Sequence, residues 1–241
     1  MHSDMNELIV KLREFQQERE SQIKLEESFE KLARYLLHGG FFQCSKRFDL
    51  YIMSVEFYYH EEDGEIKDPI MYHRNKWKWN KKQEKISDIK PYFEIGTLNP
   101  HISGVDITFE KPDKYRASAL IRAFKVYDKI KKKWIEVFDK KKNVWIAEDN
   151  RSTYVYEYLF DGLSVDGKLN QLQWKNTDYN PSSKLKSPTT RQNAHYYVQS
   201  EAEAIKEGLD VEKLKVYDAE FFKTKKPCKR EWRYSREDSH Y

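Results

Sequence analysis

The sequence predicts an α+β fold, a single domain around a curved, mostly antiparallel β-sheet with an N-terminal helical segment. Apolar residues follow a helical period as far as a pair of glycines, and after that pair the period changes to two. Charged residues make up 35% of the 241 residues, but six Trp, 17 Tyr and 13 Phe supply enough apolar area for a folded core. The chain therefore divides into a helical segment, 1–38, and a sheet-based α+β domain, 39–241.

Apolar residues in the first segment recur at spacings of three and four, which is typical of amphipathic helices. They form two runs: Leu8, Leu12 and Phe15, then Leu25, Phe29, Leu32 and Leu36. We expect two helices, or one long one, that end at Gly39-Gly40 and cap one side of the sheet.

Strands are predicted where β-branched and aromatic residues dominate and alternate with polar ones. The predicted strands are 41–59, 103–109, 117–127, 133–138, 143–146 and 153–160. Lysine-rich turns are expected at 131–133 and 139–143. The segment 176–191 is rich in turn formers, so we expect a loop or lid there, followed by a short helix at 200–207.

The charge balance, net +4, is uneven along the chain. Lysines cluster at 129–133 and 140–142, and a basic tail covers 223–236, which suits either a polyanion such as nucleic acid or simple solvation of turns. No apolar run approaches the roughly 20 residues that span a bilayer, and the first residues lack a signal peptide. With only Cys44 and Cys228, the sequence also excludes a disulfide framework. We expect a cytoplasmic protein with no membrane partner.

One predicted strand, 52–60, holds a candidate site. Alternation sets Ser54, Glu56, Tyr58 and His60 on the face opposite the core, so that a carboxylate and an aromatic ring point the same way. That pattern suits the wall of a site, and it also suits an ordinary strand whose polar face meets water.

Two other segments add candidate residues. Arg122 stands among apolar residues of the strand 117–127 and therefore needs a charged or hydrogen-bonding partner, for which Glu56 is the candidate. The alternatives are that Arg122 reaches solvent at an edge or pairs with a carboxylate only for structure. In the segment 96–106, two glycines and a proline bracket His101 ahead of a strand.

Together these segments resemble the alkylpurine (3-methyladenine) DNA glycosylase family. That family carries V-E-T-E-A-Y, P-G-x-x-Y-V-Y and L-x-R-A segments in this order. The similar segments here are Ser54-Val55-Glu56-Phe57-Tyr58, Gly96-Thr97-Leu98-Asn99-Pro100-His101 and Leu120-Ile121-Arg122-Ala123. Near the end, Glu231-Trp232-Arg233-Tyr234 resembles the family's closing P-W-R-F/Y. The resemblance covers roughly 40–236, as short islands.

The resemblance implies a monofunctional DNA glycosylase that flips a damaged or modified base and hydrolyses its N-glycosidic bond with a Glu56-activated water. Arg122 would help to hold that carboxylate and water, and Tyr58 and His101 would sandwich the base. His73 falls loosely where a family histidine contacts the base, with His60 as the alternative. The residues expected to contact DNA are Ile102, Ser103, Lys225, Lys226, Lys229, Arg230 and Arg233.

The chain departs from the family pattern at several positions. His101 stands where the second stacking residue is a tyrosine, and Ile102 or Ser103 replaces the tyrosine that wedges into the duplex. The insertion around 76–85 and the N-terminal helices have no counterpart. These departures leave the base open: an alkylated purine, a deaminated base or a phage-type modified base, and therefore a role in repair or in defence.

The residue types agree with that chemistry. Cleavage passes through an oxocarbenium-like sugar, so one carboxylate can activate water and stabilise the developing positive charge. Turning a base out of the stack costs a few kcal/mol, and aromatic stacking returns about 1–3 kcal/mol per base. The Glu56 face offers no lysine for a Schiff base, so water is the expected nucleophile, with no metal and no cofactor.

Two other functions stay open. A metal-dependent nuclease or hydrolase would use as ligands His60, Glu61, Asp68, His73 and His101. A non-catalytic nucleic-acid-binding module would use the aromatic-rich sheet and the basic tail, and Glu56 would then serve only as a structural partner of Arg122. For the glycosylase, the expected partner is DNA, and the expected state is a monomer associated with the nucleoid when bound.

Overall fold

The computed structural model describes residues 4–21, 24–61, 63–64, 66, 68, 71, 76–79, 85–88, 91–161, 172–189, 191 and 230–241. The described residues form α-helices α1 (Asp4–Glu20), α2 (Leu25–His38) and α3 (Val155–Asp161) and a large, mostly antiparallel sheet. The predicted α+β single domain is therefore confirmed. None of the helices within these residues is long and apolar enough to cross a membrane.

The strands have the following bounds: β1 Gly40–Gln43, β2 Phe48–Glu61, β3 Lys76–Trp79, β4 Lys85–Asp88, β5 Leu98–His101, β6 Gly104–Thr108, β7 Tyr115–Asp128, β8 Lys133–Trp134, β9 Val137–Asp139, β10 Val144–Ile146, β11 Glu148–Asp149, β12 Gln173–Asn176 and β13 Arg233–Ser235. The main sheet has the order β12-β1-β2-β7-β6-β5, and it is not closed into a ring by the described strands. β8 and β11 also pair with β7, and β13 pairs with β2. The pairs β3–β4 and β9–β10 form separate two-stranded sheets.

The helices α1 and α2 cover one face of the sheet, as the sequence predicts. Their apolar stripes are buried, and the ring of Phe29 stacks on Phe57 of β2 at 4.5 Å between centroids. Phe15 meets Phe109 edge-on at 4.8 Å. The helical segment thus shares one hydrophobic core with the sheet. The two predicted helices are separate, and the second ends at His38 and is capped by Gly39, whose N–H donates to the Tyr35 carbonyl.

A β-bulge in β2 decides which side chains face this core. The register with β7 shifts between Ile52 and Val55, so Leu50 and Ile52 before the bulge and Val55 and Phe57 after it join the same core. Because alternation restarts after the bulge, the side chain of Glu56 lies on the opposite face of the sheet. The candidate site lies on that opposite face.

Several strand predictions need correction. The predicted strand 153–160 is wrong: Ser152–Tyr154 form a 3₁₀ turn that continues into α3. Val155 and Leu159 are both buried at a helical spacing of four, so packing outweighs the β-branched and aromatic composition. The predicted strands 41–59 and 133–138 are each divided in two, and β3, β4, β5, β11, β12 and β13 are additional. The predicted helix 200–207 lies outside the described residues.

The predicted loop 176–191 is irregular over most of its described part, and it reaches the last strand. Leu185 bridges to Arg236, and Thr189 bridges to Arg233. The lysine-rich turns occupy the expected positions, with Lys132 and Asn143 in the left-handed backbone region that turns favour.

Candidate functional site

The candidate site centres on a buried ion pair between β2 and β7. The Nε of Arg122 lies 2.7 Å from the Oε2 of Glu56, and these side chains are 6% and 0% exposed. The hydroxyl of Tyr58 donates a hydrogen bond to the same carboxylate oxygen at 3.0 Å. The predicted pairing of Arg122 with Glu56 is therefore confirmed, as is the placement of Glu56 and Tyr58 on one side of β2.

Burial and charge together determine the protonation of this cluster. Burial raises the pKa of the Tyr58 phenol well above its usual value, and the Glu56 carboxylate raises it further. Burial alone would lower the pKa of Arg122, but the facing Glu56 and Tyr58 more than offset that effect and raise it. Arg122 therefore stays charged, and Tyr58 stays protonated as a hydrogen-bond donor.

Arg233 is a second guanidinium beside this cluster. It lies directly opposite Glu56 in the β2–β13 register, and its Nε donates to the Ser54 hydroxyl at 3.3 Å. Burial lowers the pKa of Arg233 from its usual value. The sequence assigned Arg233 to DNA contact, whereas the structure places it next to Glu56. The resemblance placed Arg233 in the closing segment but did not predict that it lies next to Glu56.

His101 ends β5, three strands away from Glu56, and its ring contacts Asp106 of β6, on the same side of the sheet as Glu56. Glu56 pairs with Leu120 of β7, and Leu120 pairs with Asp106 of β6. Two strand spacings therefore separate the backbones of Glu56 and Asp106, about 10 Å. The Nε2 of His101 lies 3.1 Å from the Asp106 carboxylate, and its Nδ1 accepts from the Ser103 N–H at 3.3 Å. Both ring nitrogens of His101 are thus engaged. The sequence analysis did not select Asp106.

The turn between β5 and β6 presents Ile102 to solvent. Its side chain is 89% exposed, while the backbone around it is held firmly. The Tyr156 hydroxyl contacts the carbonyl oxygens of His101 and Gly104, and the Ser152 hydroxyl donates to the Ser103 carbonyl at 2.6 Å.

The same serine links this turn to the buried ion pair. The Nη1 of Arg122 donates to the Ser152 hydroxyl at 3.4 Å, so Glu56, Arg122, Ser152 and the Ser103 carbonyl form one connected series of contacts. A rigid connection of this kind fixes the position of the exposed Ile102 relative to Glu56.

Substitution of Gly104 by alanine is expected to destabilise the protein by about 1–3 kcal/mol. Gly104 has φ of +136°, and a Cβ there would lie 3.0 Å from the Ser152 Cβ and 3.1 Å from a methyl carbon of Leu120. Urea unfolding measures the loss, with Ser103→Ala as the neighbouring control that introduces no clash. A Gly104→Ala protein as stable as the wild type would show that the turn relaxes freely.

A second buried ion pair covers part of Tyr58. The Nη1 and Nη2 of Arg191 contact the two oxygens of Asp68 at 2.6 and 3.0 Å, and both side chains are 0% exposed. The Arg191 guanidinium lies 4.7 Å from the Tyr58 ring centre and 5.1 Å from that of Trp232. A base that stacks on Tyr58 must therefore use the other face of the ring. The sequence contained no local signal for this pair, because 123 residues separate its members.

The remaining candidate residues are distributed around the site or lie outside the described residues. His60 is buried, and its Nδ1 accepts from the Asp68 N–H at 2.9 Å. The guanidinium of Arg230 lies 4.6 Å from the Trp232 ring centre. The candidates outside the described residues are His73, Lys225, Lys226 and Lys229.

The described residues include no group of three or more His, Cys, Asp or Glu placed to hold a metal ion. The members of the alternative metal set that the structure describes have other partners. Asp68 binds Arg191, Glu61 accepts from the Tyr59 hydroxyl at 3.0 Å, and His101 faces Asp106.

Comparison of the chain with protein-family models, with curated proteins and with solved structures finds no match. The resemblance to the alkylpurine DNA glycosylases therefore rests on the short sequence segments themselves.

Proposed function

We propose that the protein is a monofunctional DNA glycosylase in which Glu56 activates the water that replaces a damaged or modified base. The main support is the buried contact of one Glu56 carboxylate oxygen with both Arg122 and Tyr58. The resemblance implied this carboxylate, this arginine and a tyrosine two residues from the carboxylate. Their contact in space is what such a site requires.

In the proposed reaction, the Glu56 carboxylate takes a proton from water as the water oxygen bonds to the sugar C1′. The bond between C1′ and the base nitrogen breaks, and the base leaves with the electron pair. A cationic alkylated base leaves as a neutral molecule, whereas an uncharged base takes a proton from solvent. The negative charge of Glu56 also stabilises the positive charge that develops on the sugar. Arg122 orients the carboxylate and places a positive charge beside it.

Burial sets a requirement on substrate entry. Glu56 and Tyr58 are 0% and 5% exposed, and Arg191 covers one face of the Tyr58 ring. For a base to reach Glu56, the side chains that bury it have to move when DNA binds. The exposed Ile102, held in a fixed position by Ser152 and Tyr156, supports a role as an aliphatic wedge that opens the base stack.

The complete burial of Glu56 also favours a second candidate function, a nucleic-acid-binding module without catalysis. A carboxylate that is inaccessible and paired with a guanidinium can serve purely to hold β2 and β7 together. In that case the protein binds nucleic acid but releases no base from it.

The test is to incubate the protein, with EDTA present, with duplexes that contain alkylated, deaminated or phage-type modified bases. Chromatography detects free base, and alkali treatment reveals abasic sites as strand breaks. The glycosylase proposal expects both products from at least one substrate. DNA binding without either product on any of these substrates would support the binding module instead.

Substitution of Ile102 by serine is expected to slow base release from duplex DNA about tenfold, because a polar side chain opens the base stack less well. Release from a single-stranded substrate should be unchanged, since no stack has to be opened. The matched control is Val10→Ser, which replaces another exposed apolar residue, on α1. An equal loss on both substrates would show that Ile102 does not act as a wedge.

A further inference from the structure

An exposed aromatic surface lies on β8, β9 and β10, apart from the Glu56 cluster. Trp145 is 65% exposed, Phe138 44% and Trp134 41%. The two tryptophans line one groove together with the cationic residues Arg47, Lys131 and Lys133, and the rest of its lining is Asp128, Ile135 and Glu136. We call these five residues, Arg47, Lys131, Lys133, Trp134 and Trp145, the aromatic groove. Large exposed apolar side chains gathered in one place mark a binding surface, because leaving them in water is unfavourable.

The aromatic rings of the groove pack against other aromatic rings of the protein. The ring of Trp134 packs edge-on against Tyr51 at 5.2 Å and Tyr127 at 5.3 Å between centroids. The ring of Trp145 packs against that of Phe138 at 5.5 Å between centroids. These contacts restrict the rings before any ligand binds, so little conformational entropy is lost when a planar group stacks on them.

The lysines of the two adjoining turns have no carboxylate within ion-pair distance in the part of the chain that the structure describes. Those lysines are Lys131, Lys132, Lys133, Lys140 and Lys141. They are largely exposed, and their charges project into solvent around the groove.

Asp128 and Glu136 line the groove, and Asp139 lies in an adjoining turn; Asp128 and Asp139 already have partners. Asp128 accepts two hydrogen bonds from Arg47, at 3.0 and 2.9 Å, and its other oxygen accepts from backbone N–H groups. Asp139 accepts from the N–H groups of Lys141 and Lys142 and from the Tyr241 hydroxyl. The negative charge of Asp128 and Asp139 is therefore satisfied locally. Glu136 adds one negative charge to the lining, but the five exposed lysines of the adjoining turns outnumber it, so the surface around the groove is positive.

We propose that the aromatic groove binds single-stranded nucleic acid, with unpaired bases stacked on Trp134 and Trp145 and phosphates held by the surrounding lysines. Stacking on aromatic rings combined with a basic surface is how proteins bind single strands regardless of sequence. A duplex hides the faces of its bases, so it can bind only through contacts between its phosphates and the lysines. A protein partner fits less well, because lysine is depleted at protein interfaces. This inference is independent of the proposed glycosylase activity.

The experiment measures binding of a labelled oligothymidylate of about 12 nucleotides to the full chain by fluorescence anisotropy, with quenching of tryptophan fluorescence as a second signal. Trp145→Ala is expected to weaken binding at least about fivefold, and Trp145→Phe should retain most of it. Lys131→Gln and Lys133→Gln should each make the salt dependence shallower, by about 0.7 in the slope of log K against log salt.

Matched controls come from the same chain. Tyr154→Ala removes an exposed aromatic ring outside the groove, and Lys24→Gln removes an exposed lysine between α1 and α2. Both should bind like the wild type. Absence of base release from every substrate would leave this binding result intact, so the two proposals fail separately. Wild-type affinity in Trp145→Ala would overturn the inference. Competition by duplex as effective as by single strand would overturn it as well.

Discussion

Replacement of Glu56 by glutamine is expected to abolish base release, with the single-turnover rate lowered at least about 100-fold. Glutamine keeps an oxygen that can accept hydrogen bonds from Arg122 and Tyr58, but it cannot take a proton from water or balance positive charge on the sugar. The measurement uses excess enzyme and the substrate identified by the base-release assay. DNA binding should stay close to that of the wild type, because the residues expected to contact phosphates are unchanged.

The matched control is Glu110→Gln, at another buried glutamate with an arginine partner. The Oε2 of Glu110 lies 3.6 Å from the Nη1 of Arg116, and both side chains are 0% exposed. This variant loses a buried carboxylate in the same way but should release base at the wild-type rate when folded. If both glutamine variants release base equally well, Glu56 is a structural partner only. Should Glu56→Gln fail to fold, Glu56→Asp keeps the charge and is expected to fold with reduced but measurable activity.

Replacement of Asp68 by asparagine is expected to lower the free energy of unfolding by about 3–5 kcal/mol, because it removes the carboxylate that faces the buried guanidinium of Arg191. The loss involves two short contacts with Arg191 and the hydrogen bond that the Tyr59 N–H donates to Asp68 at 3.3 Å. Urea unfolding, monitored by tryptophan fluorescence, measures the change.

Asp238→Asn provides the exposed counterpart, since Asp238 pairs with Arg236 at 2.9 Å with side chains 57% and 26% exposed. Loss of that pair should change stability by less than about 1 kcal/mol. The double variant Asp68→Asn/Arg191→Met should recover part of the loss, because it also removes the buried guanidinium that Asp68 faces. A loss for Asp68→Asn no greater than for Asp238→Asn would contradict the importance of this buried pair.

Most features that the sequence predicted correctly depend on the spacing of residues two to four positions apart. The helical spacing of Leu8, Leu12 and Phe15 is enough to define α1 and its buried side, because neighbours three and four apart share a helix face. Likewise, the spacing of two between Glu56 and Tyr58 placed both on one face of β2. The partner of Arg122 was also predictable, since a guanidinium among apolar residues needs a carboxylate.

Local composition misled the prediction where tertiary packing decides the outcome. The segment 153–160 is rich in β-branched and aromatic residues, yet it forms α3 because Val155 and Leu159 pack on one helical face. The strands β12 and β13 lack a clear alternating pattern and form because β1 and β2 offer edges for pairing. Sequence alone does not say which edges are available.

The sequence by itself determined the helical segment, most of the central strands and the joint orientation of Glu56 and Tyr58, because each depends on neighbours a few residues apart. Tertiary structure alone decided the surroundings of that pair: Arg233 opposite Glu56, Asp106 against His101, and Arg191 over Tyr58. These contacts join distant parts of the chain, and only the strand register and the burial of charge bring them together.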